Sequence, residues 1–192
     1  IVASLVGSEM CIRDSEISGS NVFKWQLLSE DGLPVTASAA ITFDVADALS
    51  IEPVPHYLVF LSPPKCKFKN TQSLGRLRHL SRHGCVLCSV SGGVFPLART
   101  KLAVQVPLSV HWCYQAAFER EFPDYLLSNR IIEISSSFVT ASGSAGGFEV
   151  ALNLIENRLG SNVSTEVACW FQHPMMRKTG VSQITPLPDD SS

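Results

Sequence analysis

Between residues 57 and 98 the period of the apolar positions changes three times. Tyr57-Leu58-Val59-Phe60-Leu61 is a continuous apolar run, with Pro53 and Pro55 before it and Ser62-Pro63-Pro64 after it. That is the pattern of a strand covered on both faces. Between Asn70 and His83, Leu74, Leu77 and Leu80 recur at helical spacing with arginines on the outside, and Gly84 closes the helix. Cys85-Val86-Leu87-Cys88-Ser89-Val90 returns to a strand-length run, stops at Ser91-Gly92-Gly93, and hands over to the helix-compatible Val94-Phe95-Pro96-Leu97-Ala98. The pattern predicts strand, helix, strand, tight turn, helix.

A side chain at such a strand-to-helix turn is lifted clear of the sheet onto a helix N-terminus, where backbone N–H groups favour negative charge. Ser91 occupies that position. This geometry predicts a residue in a sparsely populated backbone region, at a cost of about 1–3 kcal/mol, with Gly92 and Gly93 accommodating it. An ordinary strand-to-helix turn carrying a solvated serine has the same spacing.

Either side of this unit the signals are shorter. Val22 to Ser29 alternates as a strand does, Glu30-Asp31-Gly32 supplies a turn, Pro34 to Thr36 and Ile41 to Phe43 read as extended pieces, and Asp44 to Leu49 as a brief turn of helix. Leu108 to Trp112 leads into an amphipathic helix through Cys113, Ala116, Ala117 and Phe118, stopped by Phe122-Pro123-Asp124. Arg130 to Ile134 and Phe138 to Thr140 predict an antiparallel pair at a sheet edge. A long helix then runs from around Ser142–Ala145, with serines to cap it, to Leu159 before Gly160, and another covers roughly 164–172. From Pro174 on, the composition is that of a tail. Strands alternating with helices imply a mostly parallel sheet between helices, with a site at the carboxyl ends of the strands.

Composition narrows the class. The chain has 192 residues, 45% hydrophobic and 17% charged, with a mean hydropathy of +0.18, so one compact domain is expected rather than disorder. A formal net charge of −2 and a pI near 6.2 give no electrostatic footprint for nucleic acid within these residues. No apolar run approaches the roughly 20 residues that span a bilayer, and a cytoplasmic setting is expected. Six cysteines without regular spacing read as free thiols.

The order of motifs resembles the PfpI-like sensor domain of GlxA-type AraC-family transcriptional regulators, within the class I glutamine amidotransferase-like superfamily. The resemblance covers about residues 20–185. It is carried by Trp25 to Ser29 with Asp31-Gly32-Leu33-Pro34-Val35, by Gly92 to Ala98 with Ser109-Val110-His111-Trp112, and by Phe122-Pro123. Thr140 to Leu152 and Gln183-Ile184-Thr185-Pro186-Leu187 complete it. It implies an α/β, flavodoxin-like fold, a mostly parallel sheet sandwiched by helices, with the family's first strand and helix falling before residue 16. Ser4 to Ser15 resembles the translation of a sequencing adapter, so residues 1–15, Cys11 included, are expected to be an artefact. Residues 16–178 are then the PfpI-like domain, and 179–192 a linker tail toward a helix-turn-helix domain that is absent from this chain. The resemblance further implies a homodimer, a small-molecule effector with an amine-bearing metabolite in view, DNA contact only through the absent domain, no membrane and no cofactor.

By the same resemblance Ser91 stands where PfpI-like enzymes place a cysteine, and His111 where they place a histidine. Ser91, Gly92, Gly93 and His111 are the implied ligand-binding residues. As an enzyme the chain would use Ser91 as nucleophile with His111, in a PfpI-like hydrolase or amidotransferase-like reaction. A serine, however, needs a positioned base that is itself oriented by a third group, and loss of a triad member costs about 10⁶ in turnover. No acid is placed to orient His111. Glu149 matches an acidic position of the family's late helix, where an ion pair or cap is the ordinary role. Sensing is therefore favoured over catalysis.

Two departures bear on the pocket. Ser62-Pro63-Pro64-Lys65 replaces a usual glycine pair, and prolines cannot donate a hydrogen bond. Thr100-Lys101-Leu102 stands where small residues and glycine are usual. Cys85 and Cys88 with His83 nearby suggest a metal or redox pair, but they sit in a strand expected to be buried, and no metal site is expected. Asn162-Val163-Ser164 matches a glycosylation acceptor without any sign of secretion.

Overall fold

The computed structural model describes residues 16–19, 22–37, 39–49, 52–173 and 180–185. The adapter-like residues 1–15, with Cys11, lie outside the described residues, as do 174–179 and 186–192 of the expected tail.

After helical residues 16–18 come four short strands, β1 (Leu28–Ser29), β2 (Val35–Thr36), β3 (Thr42–Phe43) and β4 (Asp47–Ala48). β2 and β3 pair as an antiparallel hairpin, while β1 and β4 pair in parallel. The alternating stretch 22–29 yields only two strand residues. The helical turn expected over 44–49 is instead strand β4, with Asp47 Oδ1 accepting the Ala48 N–H at 2.7 Å. A two-residue strand is too short to carry a period, so neither outcome was legible from patterning.

The central unit follows the sequence closely: β5 (Tyr57–Leu61), α1 (Thr71–Arg82), β6 (Val86–Val90), a 3₁₀ turn at Ser91–Gly93 and α2 (Val94–Arg99). Asn70 caps α1 by accepting the Gln72 N–H, and Gly84 leaves it at φ +87°. β7 (Leu108–Ser109), a 3₁₀ turn at Trp112–Tyr114, α3 (Gln115–Glu121), β8 (Leu127–Ser128), β9 (Ile132–Ile134) and β10 (Phe138–Ala141) come next. Two helices, α4 (Ser144–Leu159) and α5 (Ser161–Trp170), complete the described elements. α5 starts three residues before the expected position, and the N-cap of α4 is Gly143 with no side-chain cap.

The main sheet runs β5-β6-β10-β9, parallel except for β9. Along β6 the side chains alternate. Cys85 and Leu87 face a core with Leu77 and Leu80 of α1, Phe95 and Leu97 of α2, and Phe118 of α3. Cys88 and Val90 face Val139, Ala141, and Val150 and Leu154 of α4. A sheet buried on both faces between helices is the flavodoxin-like arrangement expected from the alternation. Each fully buried leucine stabilises it by about 1.5–3 kcal/mol. β5 is half-buried along most of its length rather than fully covered, because β6 is its only neighbour among the described residues of this sheet.

Glu30 fixes the N-terminal strands to α1. Its carboxylate accepts the backbone N–H groups of Lys69 and Asn70, both at 2.8 Å, and the Ser73 hydroxyl at 2.7 Å. Desolvation pushes its pKa up, but these hydrogen bonds and the Lys69 charge together outweigh it and hold the carboxyl below the ordinary 4.5. Its contribution is therefore complete above about pH 4.5 and lost as pH falls through the lower folded value. Glu30→Ala is expected to cost about 1–2 kcal/mol near neutral pH. Urea unfolding at pH 7 and pH 3 should show that difference narrowing in acid.

Candidate functional site

The turn after β6 carries the strain expected of it: Ser91 has φ +53°, in the left-handed region that a non-glycine residue rarely adopts. The two glycines have a different role from the one expected. Gly93 is an ordinary right-handed residue at φ −61°, yet a Cβ there would lie 2.0 Å from the Phe60 carbonyl oxygen of β5. A Cβ on Gly92 would lie 2.6 Å from the Ser62 carbonyl oxygen and 2.7 Å from Pro64 Cδ. The glycines thus let the elbow backbone press against β5 and the proline loop behind it.

That loop is held firmly. The Cys66 N–H donates to Pro63 O at 3.0 Å, closing a turn, and Arg99 of α2 donates from Nη1 to Pro64 O at 3.0 Å and also to Cys66 O. The same guanidinium donates to both carboxylate oxygens of Glu121, Nε at 2.9 Å and Nη2 at 3.0 Å, and lies over the rings of Phe95 and Phe122. Sequence reasoning passed over Arg99, since a single arginine at a helix end has no distinguishing pattern. Lys101 adopts φ +60°, so the lysine takes the left-handed turn for which glycine is the less strained residue.

His111 reaches the same edge from β7. Ala141 pairs with Val90, so Ser142 follows β10 beside the point where Ser91 follows β6. The His111 ring stands near the next residue, since a Cβ added to Gly143 would meet His111 Cδ2 at an ordinary contact distance of 3.5 Å. Ser91, Gly92, Gly93 and His111 therefore share the carboxyl edge of the sheet. Among the described residues, however, no hydrogen bond joins Ser91 Oγ to the imidazole. His111 Nδ1 instead accepts the Cys113 N–H at 3.3 Å and lies 2.9 Å from Cys113 Sγ.

With Nδ1 accepting the backbone N–H, the Cys113 thiol stands at hydrogen-bond distance from the same nitrogen, the arrangement in which an imidazole can assist a thiol. Cys66, Cys113 and Cys169 are the exposed free cysteines among the described residues. Cys113 is expected to be alkylated by iodoacetamide about 3–10-fold faster than the other two, an advantage lost in His111→Phe. Mass spectrometry of the three cysteine-containing peptides over time checks this.

The other candidates take structural places. Cys85 and Cys88 are each 1% exposed, and burial pushes their pKa values to about 11 and about 12, the behaviour of inert core thiols. His83 Nδ1 bonds to His79 O at 2.8 Å, and the two imidazoles stack. Among the described residues no three His, Cys, Asp or Glu side chains converge as a metal would require. Glu149 is buried on α4 with its carboxylate 3.8 Å from His173 Nε2, a contact that is an ion pair when the imidazole is protonated. Ser164 of the glycosylation-like triplet is fully buried and donates to Ser161 O within α5. No described helix is long and apolar enough to cross a membrane.

Beside the His111 segment lies an open groove of about 490 Å³, lined in part by Gln115, Glu119, Arg130 and Glu133. Gln115 Nε2 ties its wall to Val110 O at 3.4 Å.

No protein-family profile matches the chain. It is 26% identical over 174 residues to the HTH-type transcriptional regulator GbdR of Pseudomonas aeruginosa, a match covering 90% of this chain and 47% of that protein. The chain thus spans about half the length of this relative. Among solved structures it resembles an AraC family transcriptional regulator from Pseudomonas putida, with a TM-score of 0.74, 19% identity, and coverage of 88% of this chain and 92% of the other. It also resembles a ThiJ/PfpI family protein from Pseudomonas syringae, with a TM-score of 0.73, 13% identity, and coverage of 94% and 73% respectively. The chain is PfpI-like in fold, and its homologues are HTH-type transcriptional regulators.

Proposed function

We propose, from a PfpI-like fold shared with HTH-type transcriptional regulators, that residues 16–178 form a ligand-sensing domain. Its pocket at Ser91, Gly92, Gly93 and His111 holds a small metabolite, an amine-bearing one being the first class to test. The segment 179–192 leads toward a DNA-binding domain outside this chain, and the regulator works as a homodimer. The observation that carries this reading is the elbow itself. Ser91 is presented at φ +53° without a hydrogen-bonded base among the described residues, while the histidine that could serve as one is engaged by Cys113. An unactivated serine hydroxyl binds well and attacks poorly. Effector binding then acts by favouring one of two arrangements of the regulator, a coupling typically worth about 1–3 kcal/mol.

Calorimetric titration with a panel of amino acids and small amines tests the reading, beside assays of ester and amide hydrolysis. Ser91→Ala and His111→Ala are each expected to weaken binding about tenfold, or ~1.4 kcal/mol, with no turnover in any form. Hydrolysis by the unmodified chain that disappears in Ser91→Ala would replace this reading with a PfpI-like hydrolase or amidotransferase-like enzyme using Ser91 as nucleophile.

A further inference from the structure

The stretch after residue 179 reads in sequence as a linker, yet residues 181–183 are built into the site. Ser182 bridges Arg130 in antiparallel fashion, with the Ile131 N–H donating to Val181 O and the Gln183 N–H to Asn129 O, each at 2.8 Å. The Gln183 side chain then reaches the segment that carries His111. Its Oε1 accepts the Trp112 N–H at 2.9 Å, and its Nε2 donates to Val110 O at 2.8 Å and to Arg130 O at 3.4 Å. One amide therefore grips the residue on each side of His111.

Both gripped groups gain from the contact: Val110 O otherwise accepts Gln115 Nε2 at the longer 3.4 Å. Val110 is fully buried, and the Trp112 N–H lies in the first turn of a helix, where no intrahelical acceptor exists. Apolar anchoring of the strap is slight, with Val181 42% and Ile184 85% exposed. A segment held mainly by hydrogen bonds near solvent opens locally at low free energy. The strap is thus held chiefly by hydrogen bonds to the backbone on either side of His111 and along Asn129–Ile131.

We propose that Gln183 is the coupling residue between the His111 pocket and the chain beyond the strap. A change in the position of His111 displaces Val110 O and the Trp112 N–H and releases Gln183, and release of Gln183 in turn loosens His111. The inference rests on the sensor reading for its purpose, because an effector with different affinity for the docked and undocked states would shift one to the other. Its test needs no effector.

The Cys113 thiol reports the position of His111 Nδ1, and backbone amide exchange reports the strap. In Gln183→Ala the alkylation of Cys113 by iodoacetamide should slow by at least about threefold while Cys66 and Cys169 keep their rates. Gln183→Glu should behave alike, since its carboxylate faces the carbonyls of Val110 and Arg130. Reciprocally, His111→Ala should speed exchange of the Ile131 and Gln183 amides by at least about tenfold. Cys85 and Cys88, buried in the core, should stay unreactive throughout, which separates strap release from unfolding. Unchanged Cys113 rates in both Gln183 variants, or unchanged strap exchange in His111→Ala, would overturn the coupling. Those outcomes leave Ser91-dependent binding untouched, and failure of that binding leaves these rates untouched, so the two readings fall separately.

Discussion

Gly93→Ala is expected to destabilise the fold by at least about 3 kcal/mol, toward the upper end of overpacking costs. The new methyl carbon would stand 2.0 Å from the Phe60 carbonyl oxygen, and neither partner can rotate away, since one is the elbow backbone and the other a sheet strand. β5 or the elbow would have to move, and β5 pairs with β6 over its whole length. Against a total stability of about 5–15 kcal/mol, such a loss leaves little folded protein. Gly75, in the middle of α1 with nothing within 4 Å of a Cβ, is the matched control. Gly75→Ala should be stabilising by about 0.5–1 kcal/mol through helix propensity. Urea unfolding of both variants checks the pair, and a Gly93→Ala protein within 1 kcal/mol of the parent would contradict the close approach.

The second large effect is expected at Arg99. Its side chain is only 14% exposed and joins α2, α3 and the proline loop through one guanidinium. Arg99→Ala leaves the carbonyl of Pro64 and the Glu121 carboxylate without their donor, a loss of about 2–4 kcal/mol, moderated because Glu121 is partly solvated. Arg99→Lys should recover less than half, since an ammonium cannot fork to a carboxylate and two carbonyls at once. Amide exchange across 62–66 should quicken in both variants, because the loop packs on Gly92 and depends on this anchor. A lysine variant with parental stability would show that charge alone, rather than the planar fork, holds the loop.

These two positions show where the sequence was legible and where it was not. The β5-α1-β6 unit and the elbow could be read because burial on both sheet faces imposes long apolar runs, and one helix face imposes a period on Leu77 and Leu80. The strain at Ser91 followed from a strand that must turn into a helix within one residue. The purpose of Gly92 and Gly93 did not follow, because it depends on how closely β5 and the proline loop approach, which is set by tertiary packing. Arg99 and Gln183 were hidden for a related reason. Each is one polar side chain satisfying backbone groups distant in sequence, and such contacts leave no period. His111 was found through resemblance, while its partner Cys113, two residues away, was read only as part of an amphipathic helix. The expected serine cap of α4 failed because Gly143 occupies the cap.

The central claim is that this PfpI-like domain senses a ligand on behalf of a DNA-binding regulator. Recovering the flanking DNA and reading the frame past Ser192 tests it most directly. The account predicts that two helix-turn-helix units follow. A stop codon directly after the tail would contradict it and favour an enzyme that uses Ser91.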